Sequence, residues 1–76
     1  MTTARMTLPI GDLGHGGGDA SAIARALEGL PGVIRVAVNP LTEMAYVEYD
    51  PERATEGAFR TAIDRVGFRV GTARIR

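Results

Sequence analysis

Apolar and polar residues alternate through two neighbouring stretches in the middle of the chain, residues 33–39 and 43–49. Such alternation is typical of β-strands that bury one face. In the second stretch the two sides carry Ala45, Val47 and Tyr49 against Met44, Tyr46 and Glu48. A short turn at residues 39–42 joins the two strands into a predicted antiparallel hairpin.

Two other segments repeat their apolar residues at intervals of three and four, which is the period of an amphipathic helix. The first stripe consists of Ile23, Ala26, Leu27 and Leu30, and the second of Phe59, Ala62, Ile63 and Val66. Asp19 and Thr55 precede the two helices as predicted N-caps. Gly29 with Pro31 ends the first helix, and Gly67 ends the second.

Strands are also predicted before the first helix and after the second helix in the sequence. A short strand begins near Arg5, with Leu8 and Ile10 on one side, and residues 68–75 supply the last strand. Pro9 lacks an amide hydrogen, which weakens the first strand or requires that position to face outward from the ladder. The resulting order is strand, helix, strand, strand, helix, strand.

This order predicts an α+β fold, the ferredoxin-like βαββαβ sandwich. Each strand–helix–strand unit crosses over in the right-handed sense onto a shared sheet. Two such units around one hairpin give a four-stranded antiparallel sheet with two helices on one face. The other side of the sheet is left uncovered, and it is predicted to carry Arg35, Ala37, Met44 and Tyr46.

The connection between the first strand and the first helix is rich in glycine. Five glycines, at positions 11, 14, 16, 17 and 18, fall within residues 11–19. Because each glycine loses much conformational entropy when it is fixed, this segment is predicted to be a loop. The loop contains His15, the one histidine of the chain, flanked by Asp12 and Asp19.

The length and composition of the chain exclude several classes of function. With 76 residues, the chain is expected to form a single domain, residues 1–76, with one small core and no deep enclosed active site. The absence of cysteine excludes disulfides, thiolate metal sites and thiol nucleophiles. No apolar run approaches the roughly 20 residues of a membrane helix. No signal-peptide core is visible either, so a soluble cytoplasmic module is expected.

The charges balance overall but are unevenly distributed. The formal net charge is zero, which does not favour binding to nucleic acid or to an anionic membrane. All nine basic residues are arginine, and five of them fall within residues 60–76, where Asp64 is the one acid. The C-terminal end of the chain is therefore locally basic.

Four segments of the chain together carry a pattern that extends over most of its length: AIARALEGLPGV at residues 22–33, VAVN at 36–39, TEMAYVEYDP at 42–51 and AIDRVGF at 62–68. They resemble the first helix and turn, the hairpin and the end of the second helix of the heavy-metal-associated domain family. The resemblance covers residues 7–70. It implies the same fold, a role in metal-ion binding or transport, and a position for Phe68 over the metal loop.

The resemblance ends in the loop itself, where the family carries a GMxCxxC motif whose thiolates bind Cu(I), Zn or Hg. Counting back from the helix places Gly16 and Asp19 at the two cysteine positions. Counting forward from the strand places Leu13 at the methionine, and His15 and Gly18 at the cysteines. Neither alignment finds a thiol, so the family's ligand role transfers to no residue.

The loop nevertheless holds donors of another kind. The imidazole of His15 and the carboxylates of Asp12 and Asp19 suit Zn, Ni or Cu(II) better than Cu(I). Three donors leave a coordination position for water or for a ligand from a partner protein. Ordering a glycine-rich loop on the metal costs entropy, so the expected affinity is modest. The alternative is a solvent-exposed histidine, with Asp12 in a turn and Asp19 as the helix cap.

Other interpretations find less support. Glycine amides before a helix can hold an anion, but the nucleotide-binding motifs are missing and two aspartates repel an anion. The RNA-recognition motif shares this topology and stacks bases on sheet aromatics. Here Pro9 and Met44 stand at two stacking positions and Tyr46 alone remains, so nucleic acid is not an expected partner. With one histidine, one serine and no cysteine, no enzyme activity is expected.

Two functions therefore stay open. The first is a metal-handling module, either separate or part of a transporter, that binds a borderline divalent ion weakly through His15, Asp12 and Asp19. The second is a protein-interaction or regulatory module that keeps the fold without metal. Its partner would bind the uncovered side of the sheet or the basic C-terminal strand. The family resemblance favours the first function, and the missing thiols favour the second.

Overall fold

A computed structural model of the protein describes residues 2–11 and 19–75, with the backbone alone for residues 74 and 75. The elements are β1 (Ala4–Gly11), α1 (Asp19–Glu28), β2 (Val33–Asn39), β3 (Met44–Tyr49), α2 (Glu56–Val66), β4 (Arg69–Val70) and β5 (Arg74–Ile75). The predicted ferredoxin-like βαββαβ fold is confirmed.

Strand β1 lies inside the sheet, whose strand order is β2-β3-β1-β4, with β5 also paired to β1. All of these pairings are antiparallel. Thr7 of β1 lies opposite Tyr46 of β3, and Tyr46 lies opposite Ala37 of β2. The side chains of the hairpin therefore alternate between the two sides of the sheet as predicted. Strand β2 forms one edge of the sheet. A register irregularity between Val33 and Arg35 turns Ile34 outward, where 46% of it is exposed.

The predicted last strand is wrong in one respect, because residues 68–75 form two short strands. Ile10 lies opposite Val70, whereas Thr7 lies opposite Arg74. Three residues, 71–73, therefore face two residues of β1, which is the arrangement of a β-bulge. Pro9 is one of those two, and the amide of Gly71 donates to its carbonyl oxygen at 2.8 Å. Because proline has no amide to donate back, the ladder breaks at this position.

Arg60 of α2 holds the bulge in place. Its Nη2 donates to the carbonyl oxygen of Gly71 at 2.7 Å, and its Nη1 donates to that of Val70 at 3.3 Å. Its Nε donates to Glu56 Oε2, one helical turn earlier, at 2.7 Å. The guanidinium therefore supplies hydrogen bonds to carbonyls at the point where the strand is interrupted.

The helix ends match the predictions for α2 and differ slightly for α1. Thr55 caps α2 by accepting from the amide of Ala58 at 3.2 Å, and Gly67 ends it in the left-handed conformation with φ of 103°. Asp19 is the first residue of α1 rather than a cap before it, and Gly11, predicted in the loop, is the last residue of β1. The first strand therefore ends one residue later than predicted, and the first helix begins one residue earlier.

Both helices bury their predicted stripes against one face of the sheet. The buried core consists of Met6, Leu8, Ile10, Ile23, Leu27, Ala45, Val47, Tyr49, Ala54, Phe59 and Ile63. Tyr49 and Phe59 meet edge to face, with 5.1 Å between ring centroids. Within the described residues the core contains no polar or charged residue. Apolar burial and aromatic packing therefore hold the two layers together.

We expect Gly32→Ala to destabilise the protein by about 2–3 kcal/mol. Gly32 has φ of +86°, and an added Cβ would lie 2.7 Å from Arg53 Cβ and 3.0 Å from the Ala54 amide nitrogen. The Gly32 carbonyl also accepts from the Asp50 amide at 2.8 Å, so the turn cannot easily move away. Urea denaturation would measure the free energy of unfolding.

Gly57→Ala is the matched control for that substitution. Gly57 lies in the first turn of α2, and its added Cβ would approach nothing closer than Thr55 Oγ1 at 3.9 Å. Alanine there should stabilise the protein by about 0.5–1 kcal/mol, because glycine costs a helix that much. Equal effects of the two substitutions would contradict the steric account of Gly32.

We expect Arg60→Met to lower the free energy of unfolding by about 1–2 kcal/mol, because it removes the donors to the Val70 and Gly71 carbonyls while keeping the apolar stem. The amide of Gly71 should also exchange with deuterium faster, as measured by hydrogen-exchange NMR. Arg65→Met is the control, since Arg65 is exposed on the same helix. A loss of stability that is equal in both variants would argue against the role of Arg60.

Candidate functional site

The segment predicted to bind metal joins two rigid elements at one end of the sheet. It leaves β1 after Gly11 and enters α1 at Asp19. Gly11 lies opposite Arg69 of β4, and the amide of Ile10 donates to the carbonyl oxygen of Glu43 at 2.8 Å. The end of β1 is therefore fixed between the hairpin turn on one side and the strand after α2 on the other.

The predicted ligands are described unequally. Asp12 and His15 lie outside the described residues, and Asp19 lies half-buried in the first turn of α1. A carboxylate in that turn is stabilised by the partial positive charge of the helix N-terminus. The assignment of Asp12, His15 and Asp19 as a common metal site stays a prediction.

The described residues by themselves do not form a metal site of the usual kind. Within residues 2–11 and 19–75, no three His, Cys, Asp or Glu side chains are grouped so that they could hold a metal ion. Asp12 and His15 are the remaining residues of these types in the sequence. Any site with three such ligands must therefore include at least one of these two.

The sequence did not show that two charged residues lie next to the segment, and it identified one of them, Arg69, only as part of the basic C-terminal end. Glu43 and Arg69 line a shallow depression of about 410 Å³ that also includes Gly11. Glu43 was predicted to begin a strand, but it precedes β3 and has φ of 57°, a left-handed conformation that is uncommon for residues other than glycine. Periodicity could not reveal this arrangement, because it depends on the pairing of β1 with both neighbours.

Phe68 lies at the same end of the sheet, directly after the Gly67 cap. Its amide donates to the carbonyl oxygen of Ile63 at 3.3 Å, and its half-buried side chain packs against the core. Phe68 lies between α2 and β4. The position over the metal loop that the family resemblance implies for it involves residues 12–18, which lie outside the described residues, and stays a prediction.

The second candidate surface is the side of the sheet opposite the helices, which we call the open face: Arg5, Thr7, Arg35, Ala37, Met44, Tyr46, Glu48 and Arg69. The first seven surround a shallow depression of about 600 Å³. Arg69 belongs to this side because a Cβ on Gly11, which follows buried Ile10, would lie 3.7 Å from Arg69 Cβ. All four residues predicted on this side are confirmed there.

Charged groups on the open face interact weakly with one another. Arg35 Nε lies 4.0 Å from Glu48 Oε1, and the Arg35 side chain is 81% exposed. An exposed pair at this distance contributes about 0–1 kcal/mol. These side chains therefore remain available to other charged groups.

Neither helix in the described part of the chain is long and apolar enough to cross a membrane.

A family model for the heavy-metal-associated domain matches residues 15–69. The chain belongs to this family. No curated protein sequence gives a significant match. The family match begins at His15, after the end of β1 at Gly11, so the whole of β1 is recognised from the structure rather than from the family pattern.

Solved structures agree with this assignment. Oxidized MerP from Ralstonia metallidurans has a TM-score of 0.86 at 20% identity, with coverage of 92% of this chain and 96% of that one. The N-terminal domain of a potential copper-translocating P-type ATPase from Bacillus subtilis, in the Cu(I)-loaded state, has a TM-score of 0.83 at 26% identity, covering 91% and 85%. The CopZ metallochaperone gives 0.83 at 25%, covering 88% and 98%. This domain is thus related to metal chaperone and transporter modules.

Proposed function

We propose that this heavy-metal-associated domain handles a borderline divalent metal ion, Zn, Ni or Cu(II), as its cargo. The ligands in this proposal are His15, Asp12 and Asp19. The family membership supports a metal-related role, as does the likeness to the Cu(I)-loaded domain from Bacillus subtilis and to the CopZ metallochaperone. The choice of ion comes from the donors of this chain.

The observation that carries the proposal is the composition of the segment between β1 and α1 and of the residue that follows it. The segment holds the one histidine and Asp12, and α1 begins with Asp19, in a chain that has no cysteine. Soft Cu(I) and Hg(II) favour thiolates, whereas imidazole and carboxylate favour borderline and harder divalent ions. The donor set therefore does not fit the cargo of the Cu(I)-loaded relative, and it fits Zn, Ni or Cu(II).

The position of the segment is suited to weak, exchangeable binding. Its two ends are fixed by the sheet at Gly11 and by the helix at Asp19. Between them, four glycines must lose conformational freedom when the donors gather around an ion, which lowers the affinity. Three ligands also leave a coordination position through which a partner protein could take the ion.

The remaining features of the proposal are those of a carrier. Residues 1–76 act as one domain in the cytoplasm, and the domain has no catalytic role. It passes its ion to a partner protein or receives the ion from one.

A second candidate function is a metal-free protein-interaction or regulatory module. The absence of cysteine at both possible alignments of the family's metal motif favours it. The core is compatible with this alternative, because within the described residues the fold is held by apolar packing.

Metal titration of the metal-stripped protein distinguishes the two functions. We expect Zn, Ni and Cu(II) to shift the amide resonances of Gly11, Asp19 and the residues between them in a saturable way. Line broadening would report paramagnetic Ni and Cu(II). His15→Ala should weaken binding at least tenfold, because it removes the strongest donor for these ions. Heteronuclear NMR would follow the resonances.

Glu52→Gln is the matched control, since Glu52 is an exposed acid just after β3, whose end pairs with Ala4 at the start of β1 rather than with Gly11. It should bind metal like the unmodified protein. Unchanged affinity in His15→Ala would refute the proposed ligand set. The absence of saturable shifts with any of the three ions would instead support the metal-free function.

Binding should also depend on pH, because the metal needs the neutral imidazole. An unperturbed histidine has a pKa of about 6.5, and its protonated form cannot bind the metal. The affinity should therefore be constant above about pH 7.5 and fall by up to tenfold per pH unit below the imidazole pKa. Calorimetric titrations with Zn at pH 7.5, 6.5 and 5.5 would measure this. A constant affinity over that range would mean that His15 is not a ligand.

A further inference from the structure

The open face combines an apolar centre with arginines at both of its ends. Because side chains alternate along β1, Arg5 and Thr7 lie on the side of the sheet that faces away from the buried Met6 and Leu8. The central row consists of Thr7, Tyr46 and Ala37, and Tyr46 is 42% exposed. This side of the sheet therefore offers a half-exposed aromatic ring with small neighbours.

The charge on this face differs from that of the whole chain. Glu48 lies between Arg5 and Arg35, with which it is paired in the β1–β3 and β2–β3 registers. Arg69 lies at the other end, opposite Gly11. Among the eight residues that define the face, three arginines thus stand against one acid, a formal charge of +2, and Glu43 lies outside this set, in the neighbouring depression that it lines with Arg69. The chain as a whole has a formal charge of zero.

The spacing of these arginines is set by the sheet. Arg5 and Gly11 are six residue steps apart along β1, so Arg5 and Arg69 lie about 20 Å apart along the strand direction. Two strand spacings separate Arg5 from Arg35, which is about 10 Å across the sheet. An extended peptide of about seven residues spans the longer of these distances.

We propose that the open face binds an extended acidic segment of a partner protein. Acidic residues near the two ends of that segment pair with Arg69 at one end and with Arg5 and Arg35 at the other, and an apolar residue between them contacts Tyr46. Arginine suits this role because its planar guanidinium binds carboxylates with two parallel hydrogen bonds. The inference goes beyond metal binding, and it names the surface and the partner chemistry for the second candidate function.

The face fits a peptide better than single-stranded nucleic acid. Recognition of successive bases on a sheet requires several exposed aromatic rings. Among the described residues of the open face, Tyr46 is the one aromatic side chain, because Tyr49 and Phe59 belong to the core. An extended peptide with acidic residues at its ends and an apolar residue between them matches the arginines at the two ends of the face and Tyr46 at its centre.

The probe for this proposal is a fluorescein-labelled nine-residue peptide with two acidic residues at each end and an apolar centre. Binding to the metal-free protein in EDTA would be measured by fluorescence anisotropy. We expect saturable binding that weakens as salt is added. Amide shifts should fall on β1, β2 and β3 around Thr7, Ala37 and Tyr46. The same peptide with glutamine and asparagine in place of its acids should not bind.

Two double variants with the same change in net charge provide the decisive comparison. Arg5→Gln with Arg69→Gln removes two arginines from the open face, and we expect the affinity to fall about fivefold or more. Arg25→Gln with Arg65→Gln removes two exposed arginines from the helices and should leave the affinity unchanged. Tyr46→Thr, which keeps a residue suited to a strand, should weaken binding severalfold.

Several results would overturn the proposal. These are no saturable binding of the acidic peptide, an equal loss of affinity in both double variants, or shifts confined to the helices. Tighter binding of a nine-nucleotide oligouridine through the same face would assign the face to RNA instead. Concentration-dependent self-association through Tyr46, detected by analytical ultracentrifugation, would assign it to a second copy of the chain. Peptide binding should be unaffected in His15→Ala, so failure of the metal proposal and failure of this one are distinguishable.

Discussion

The pairing of β1 on both of its sides is the constraint on which the rest of the structure depends. One side of β1 is hydrogen-bonded to β3 along six residues, and the other side is shared by β4 and β5. The same strand buries Met6, Leu8 and Ile10 beneath the two helices. It then ends at Gly11, where the proposed metal-binding segment begins. Because an interior strand is fixed by two ladders and a buried face, the sheet determines where that segment starts.

Pro9 lies inside this strand, so the hydrogen bonding of the sheet has to change at that position. Proline is ordinarily confined to edges and bulges because it cannot donate to a ladder. Here the neighbouring strand is interrupted opposite Pro9, and Arg60 donates to the carbonyls of Val70 and Gly71 at that interruption. A helix side chain thus provides hydrogen bonds near the place where the sheet cannot, at the end of the sheet that carries Arg69.

In this chain the residues that stabilise the family fold are different from the residues that we propose as metal ligands. The described core is apolar throughout, so folding does not require the thiolates that other members of the family use, in contrast to small domains that fold only around a metal. The ligand set that we propose, His15 with Asp12 and Asp19, is therefore compatible with an unchanged scaffold. The two proposed sites also use different parts of that scaffold. One lies at the end of β1, and the other lies on the side of the sheet that the helices leave uncovered.

The sequence by itself determined the two helices, the first three strands, their order and the buried side of each, because these follow from local periodicity and from turn and cap residues such as Thr55 and Gly67. It also excluded thiolate donors, since no cysteine is present anywhere. The bulge opposite Pro9, the Arg60 hydrogen bonds, the left-handed Glu43 and the meeting of Gly11 with Arg69 were decided by tertiary structure alone. Each depends on the register between strands that are distant in the chain. Such a register is set by the simultaneous packing of both helices on one sheet, which no local pattern contains.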